Sequence, residues 1–426
     1  MFKRISTGLA RVLAIVFALS LFVCLTPGTV KAQDAITFGE PVIINNFPDS
    51  LTFQITVEST SGEINKAEFI FNEYGVEYPD SNRLRIIEVE PAQEITLEYT
   101  WDTTTGIYPW SSVAYSWQAR DSLGNFAQTE IETFIYEDTR FTWQRLEDDR
   151  AEVWWHDNDS SFGNQVLAIA NTAIEEQGAF FQLELEEPIQ AIIYNSYDEY
   201  NAWAREDAHR SSGMAYAGHN LIFANTQNTT ALEEILSHEI GHIYFHYYLG
   251  DKVYDVPVWL NEGIAQYLEP VNHSYVISWT QSQMQDDAWL SLFVLGSNHY
   301  FYGEDRQLSY AEAYCAVLYM TETYGEQSIL DLLDAYKEGK STDKAFEAVF
   351  GLTLSEFEAE WLVWLQNKQV LEYPSGEYSL PWAKLAVGGA LLLSMGCGIS
   401  IFSFALGLFL IFRQKKLPKN DPAEMN

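Results

Sequence analysis

The chain has 426 residues, enough for two or three domains, and 15% of them are aromatic, which supplies material for buried cores. Sixty acids against 24 basic residues give a formal net charge of −36, a balance that repels phosphate backbones and argues against a nucleic-acid partner. Of three cysteines, Cys24 and Cys397 lie in apolar terminal runs, so Cys315 alone remains for the soluble part and an internal disulfide there is excluded.

Residues 1–32 read as a signal peptide. Lys3, Arg4 and Arg11 make a basic start, Val12 to Leu25 an apolar run, and Val30-Lys31-Ala32 a cleavage site of small-x-small type. A lipoprotein reading at Cys24 fails because Val23 is too large for the position before the modified cysteine.

From 36 to 138 the hydrophobic period is two. Leu51, Phe53, Ile55 and Val57 alternate with polar residues, and the pattern recurs at Ala67-Phe69-Phe71, Ile95-Leu97-Tyr99-Trp101 and Val113-Tyr115-Trp117-Ala119. Several short strands with buried aromatics predict a β-sandwich of immunoglobulin or fibronectin III type. This stretch carries no chemical motif.

A second domain is expected over 139–372. Strands around 141–145 and 151–155 lead to a helix over 162–181, a strand over 189–194, a helix over 197–206 and a strand over 218–224. Next comes Leu236-Ser237-His238-Glu239-Ile240-Gly241-His242. Residues four apart share a helix face, so His238 and His242 can grip one metal ion, and Glu239 is offset enough to hold a water beside it. Thr230 and Glu233 fit a capping box for that helix, and Gly250 fits its end. His246 comes too early for a third ligand of the metzincin pattern and reads as a flanking residue.

Downstream, Pro257 opens a helix through Val258-Trp259-Leu260-Asn261-Glu262-Gly263-Ile264-Ala265-Gln266-Tyr267, and Pro270 closes it. Glu262 would complete a His-His-Glu set, which leaves one zinc position open and is the catalytic rather than the structural arrangement. Asn261 and Glu234 are candidates for orienting the ligands. Helices are expected over 275–285, 288–295, 310–324, 327–338, 341–350 and 355–367, with Cys315 as a small core residue. A linker over 373–384 precedes 385–412, 28 residues without a charge, long enough to span a bilayer. Arg413, Lys415, Lys416 and Lys419 then place a tail over 413–426 in the cytoplasm, so the expected topology is a single-pass cell-membrane protein with its ectodomain outside.

The pair formed by HEIGH (His238, Glu239, His242) and WLNEGIAQY (Trp259 to Tyr267, with Glu262 as ligand) resembles the gluzincin zinc metallopeptidases, in particular the peptidase MA-like bacterial proteins. The resemblance extends loosely from about Arg140 to about Leu371. It implies an α+β metallopeptidase domain with a helical C-terminal subdomain and one Zn²⁺. It also implies hydrolysis of a peptide or protein substrate by a zinc-bound water, with Glu239 as general base. An edge strand for the substrate backbone is implied too, for which Met214 to Phe223 is the candidate. The oxyanion donor falls to Tyr310, where related sequences open a helix with tyrosine or histidine, or to Tyr314 one turn on. The rival reading is a catalytically degenerate, membrane-anchored binding or adhesion protein that keeps the fold. Substrate identity and oligomeric state are left open.

Overall fold

A computed structural model describes residues 35–72, 82–104, 107–204, 212–271, 274–285 and 289–369. The expected signal peptide over 1–32, the linker, the membrane span over 385–412 and the tail lie outside these residues. Among the described residues no helix is long and apolar enough to cross a membrane. The chain divides into two compact units, one comprising residues up to 107 with 111–136, the other 108–110 with 137 onward.

The first unit is built from two antiparallel sheets. In one, β3 (Ser50–Ser59) pairs with β6 (Glu94–Asp102) on one edge, while β1 (Ile36–Phe38) and β2 (Val42–Asn46) share the other. In the second, β7 (Ser112–Asp121) pairs with β4 (Ile64–Asn72), which continues to β5 (Arg83–Ile87). Its other edge takes β8 (Phe126–Gln128) and β9 (Glu132–Ile135). Alternation delivers one face of each strand to the interior. Phe53 of the first sheet thus lies 4.9 Å from Phe69 and 5.0 Å from Tyr115 of the second, ring centre to ring centre. The two sheets therefore share one aromatic core, as a sandwich requires.

The second unit has a five-stranded mixed sheet in the order β10-β11-β12-β14-β13. Its members are β10 (Gln144–Glu147), β11 (Ala151–Trp155), β12 (Ile189–Ile193), β13 (Gly213–Tyr216) and β14 (Leu221–Ala224). β11, β12 and β14 run parallel, and antiparallel β10 and β13 form the two edges. Helix α1 (Ser160–Phe181) makes the crossover from β11 to β12, and α2 (Tyr197–Ala204) follows β12. The candidate edge strand is shorter than the sequence suggests. Instead of one strand over 214–223, β13 ends at Tyr216, a 3-10 turn occupies Ala217–His219, and Asn220 takes a left-handed φ of 50° that reverses the chain into β14. His219 therefore sits on a turn rather than in a strand.

Helix α3 (Thr229–Leu249) carries the histidine motif. Its cap is not the expected Thr230–Glu233 box. Asn228, extended in its backbone, accepts from the amides of Thr230 and Ala231, satisfying donors that the helix start leaves open. The remaining helices are α4 (Val258–Tyr267), α5 (Ser274–Gln285), α6 (Asn298–Phe301), α7 (Arg306–Tyr324), α8 (Gln327–Lys337), α9 (Thr342–Phe350) and α10 (Leu354–Asn367). One continuous apolar core runs from β11 through α3, α4 and α7 to Trp361 and Leu365 of α10. Cys315 is fully buried within it, and burial pushes its thiol up to about 12.

One expected helix is replaced by something else. Residues 289–293 are not helical, and only a 3-10 turn at Val294–Gly296 follows before α6. The amide of Leu290 donates to the Glu312 carboxylate, at 3.0 and 3.1 Å from its two oxygens, and that of Leu292 to Glu358 Oε2 at 2.7 Å. These carboxylates supply acceptors that a helix would have drawn from its own carbonyls.

Candidate metal centre

Two crossings set the position of α4, and each is made close by a glycine. A Cβ on Gly241 of α3 would lie 3.3 Å from Ala265 Cα, and one on Gly263 would lie 2.6 Å from the Ala313 carbonyl oxygen of α7. Helix α4 is thus held between α3 and α7, with Glu262 facing the histidine pair. Gln177 of α1 bonds the Ser237 carbonyl and braces the motif from behind.

His238 Nε2 and His242 Nε2 stand 3.2 Å apart, and Glu262 Oε2 lies 3.4 Å from the first and 3.6 Å from the second. Zinc holds such atoms at about 2.0–2.1 Å, so in a tetrahedral shell they sit about 3.3 Å from one another. The triangle has that size. The other face of each ring is committed: His238 Nδ1 meets Glu269 Oε1 at 2.9 Å and His242 Nδ1 meets Asn261 Oδ1 at 3.0 Å. With both Nδ1 atoms donating, both Nε2 atoms present lone pairs to the same point. Glu262 Oε1 accepts from the Tyr302 hydroxyl at 2.5 Å, while buried Oε2 has no hydrogen-bond partner among the described residues. Two facing lone pairs and an unpaired buried carboxylate oxygen fit a divalent cation. His238, His242 and Glu262 are the His-Cys-Asp-Glu group able to converge on one ion among the described residues.

The electrostatics favour positive charge at this point. Burial favours the neutral His238 ring, yet Glu262 and Glu269 outweigh it and raise its pKa well above the usual value. Burial likewise pushes Glu262 up, but His242 and His238 hold it at about 2, so it stays ionised. Glu239 is raised chiefly by burial, against the pull of both histidines, and it accepts a bond from the Ala215 amide on β13. A carboxylate raised in this way, close beside two imidazoles, is suited to taking and returning a proton.

Tyr310, on α7, is also gathered here. Its ring centre is 6.3 Å from that of His238, and it is a hydrogen-bonding neighbour of Glu262. Burial and then Glu262 raise its pKa far above the tyrosine norm, so its hydroxyl is a donor. Tyr314 lies in the core, with Cys315, Tyr267 and Glu269 as its electrostatic neighbours. His246, in the last turn of α3, is not among the converging residues. Sequence reading overlooked two partners. Glu269, rather than Glu234, holds His238, and Tyr302 lies beyond the segment 288–295 that reads as helix. An acid directly after the α4 motif was the one available signal for Glu269, and Tyr302 had none.

Residues 170–367 match the model of the Peptidase MA superfamily. Over that range the second unit is similar to Peptidase MA superfamily proteins. No curated protein sequence matches the chain. Among solved structures the chain is similar to OgpA from Akkermansia muciniphila, at 12% identity over 25% of this chain and 30% of that one, with a TM-score of 0.21. It is also similar to an M1 zinc metallopeptidase from Deinococcus radiodurans, at 12% identity over 80% and 94% of the two chains and a TM-score of 0.35. A third is Legionella pneumophila aminopeptidase A, at 11% identity over 78% and 49%, TM-score 0.35. The chain spans less than a third of the length of OgpA.

Proposed function

We propose that the protein is a zinc metallopeptidase that hydrolyses peptide bonds outside the cytoplasm. The observation that carries this reading is the triangle of His238 Nε2, His242 Nε2 and Glu262 Oε2, with Glu239 beside it. A zinc ion held by those three side chains would supply Lewis acidity to the scissile carbonyl and acidify a water. Glu239 takes the proton from the attacking water and returns it to the leaving amine. The Ala215 amide steadies that carboxylate from β13. The edge of β13 away from β14, which pairs with no other strand among the described residues, offers backbone groups to an extended peptide. Tyr310 donates its hydroxyl to the oxyanion that forms as the carbonyl is attacked.

The domain plan attached to this reading is a signal peptide over 1–32, a sandwich over 36–138, the peptidase over 139–372, a membrane helix over 385–412 and a cytoplasmic tail. Counting β1 with β2 and β8 with β9, the described residues of the sandwich form seven strands divided three and four, which supports an immunoglobulin-like or fibronectin III-like assignment. The uncharged run and the basic cluster after it support a single-pass anchor in the cell membrane.

The test is zinc per mole of the purified chain, alongside Glu262→Ala, followed by a peptide-library screen with Glu239→Gln as control. About one zinc, lost in Glu262→Ala, together with cleavage lost in Glu239→Gln, is the expected result. Zinc without cleavage of any peptide would favour the anchored binding protein. A folded chain that takes up no zinc overturns the reading.

A further inference from the structure

The stretch 289–302 runs from one pair of acidic side chains, Glu312 and Glu358, to a third, Glu262. At its start, Glu312 accepts from the Leu290 amide, and Glu358 accepts from the Leu292 amide and from Ser291 Oγ at 3.0 Å. Leu292, Leu295 and Phe301 are fully buried, and the Phe301 ring lies 4.9 Å from that of Tyr310. At its end, Tyr302 keeps 44% of its surface exposed yet reaches Glu262 Oε1 with its hydroxyl. A strap pinned in this way has little freedom to carry Tyr302 elsewhere.

A carboxylate can meet a metal through one oxygen or two. If Glu262 used both, the second oxygen would crowd the position that a hydrolytic site keeps open. A strong donor on Oε1 decides between these modes, because it engages a lone pair for which a second metal contact would have to compete. We propose that Tyr302 is a positioning residue for the metal site. Its hydroxyl holds Glu262 Oε1 so that the carboxylate meets the ion through Oε2 alone, and the clasped strap 289–302 sets where that hydroxyl lies. The inference rests on the reading that the triad holds zinc. It adds a residue and a segment that the histidine and glutamate motifs do not contain.

The experiment titrates the zinc-loaded full chain against a chelator, comparing wild type, Tyr302→Phe, Glu358→Ala and the double variant, with cobalt-substituted samples read by visible absorption. Tyr302→Phe is expected to weaken zinc binding by about 10- to 100-fold. Its cobalt bands should lose intensity as the metal gains a fifth ligand, a signature that a merely structural loss does not produce. Glu358→Ala should weaken binding about threefold or more in the wild-type background and add nothing in the Tyr302→Phe background, because the strap acts through that hydroxyl. Where Glu358→Ala does not fold, Ser291→Ala makes the milder cut. Tyr302→Phe binding zinc within twofold of wild type, with an unchanged cobalt spectrum, overturns the inference and leaves the zinc reading standing. Equal losses from Glu358→Ala in both backgrounds overturn the role of the strap. A wild-type chain without zinc overturns the functional reading itself, and this inference with it.

Discussion

Glu262 and Glu312 are both buried carboxylates on helices that touch, α4 and α7, and their surroundings drive them in opposite directions. Burial raises the pKa of each. At Glu262 the two histidines overcome that effect and hold it at about 2, whereas Glu312 faces Glu358 and Asp305, has one backbone donor for relief, and rises to about 8. Burial sets the size of the penalty, and the sign of the neighbours decides which acid remains charged. The one that remains charged faces the candidate metal position. The other carries a proton at neutral pH and serves as a clasp.

The widest gap between the two regions should appear in catalysis. Glu239→Gln is expected to lower kcat by about 10³-fold, within the usual range for loss of a general base, while zinc content stays at the wild-type level. Glu312→Gln keeps an acceptor for the Leu290 amide and should leave kcat within about twofold. Turnover of a cleavable peptide and metal analysis on both variants make the check. Substantial loss of turnover in Glu312→Gln would erase the division of labour between the two regions.

The same contrast has a pH dependence of defined sign. A carboxyl whose folded pKa of about 8 exceeds its ordinary value of 4.5 binds its proton more tightly in the folded state. Between those two values the folded chain holds a proton that the unfolded chain has released, so stability falls as pH rises from about 4.5 to about 8 and levels off above. That interval is worth at most about 5 kcal/mol. Glu312→Gln, which cannot ionise, should therefore raise the denaturation midpoint most at pH 8 and above and little near pH 4.5. A gain independent of pH would assign the effect to packing.

The His-x-x-x-His spacing was legible because it is local: one turn of helix brings two side chains together whatever the rest of the fold does. Asn261 was legible for a similar reason, standing beside Glu262 on the same short helix. The strand alternation around Phe53 and Phe69 marked two-faced strands but not which sheet each joined, since pairing partners are set by distant segments. Run 288–295 had helical composition, yet its described residues from 289 onward form a strap because Glu312 and Glu358, far along the chain, take the amides of Leu290 and Leu292. Tyr302 could not be read for the same reason. The turn at Asn220 falls in the polar break Gly218-His219-Asn220, which a single strand drawn over 214–223 passed across.

Glu269 gives a test of how strongly a ligand depends on its partner. Its carboxylate fixes the His238 tautomer, and Glu269→Gln keeps a possible acceptor for Nδ1–H while removing the charge that strengthens the imidazole as a donor to metal. Zinc affinity should fall by about 10-fold, measured by chelator competition, with the metal-free chain unfolding at an unchanged denaturant concentration. No change in affinity would mean that the tautomer is fixed without this contact.

The last expected effect is mechanical. A Cβ at Gly263 would lie 2.6 Å from the Ala313 carbonyl oxygen and 2.9 Å from its carbon, both backbone atoms of α7 that cannot turn aside as a side chain does. Gly263→Ala must therefore push α4 away from α7, at a cost of about 1–3 kcal/mol in the range of overpacked cores, read from the urea midpoint of the metal-free chain. At Gly241 the nearest atom is Ala265 Cα at 3.3 Å, so Gly241→Ala needs a shift of a few tenths of an ångström and should cost less. Because Glu262 sits next to Gly263, the α4 shift should weaken zinc binding along with stability. Glu312, on the opposite helix, should keep its pH dependence. Loss of both together would mean that α4 and α7 move as one body, and the two acids would then share a single mechanical fate despite their opposite charge states.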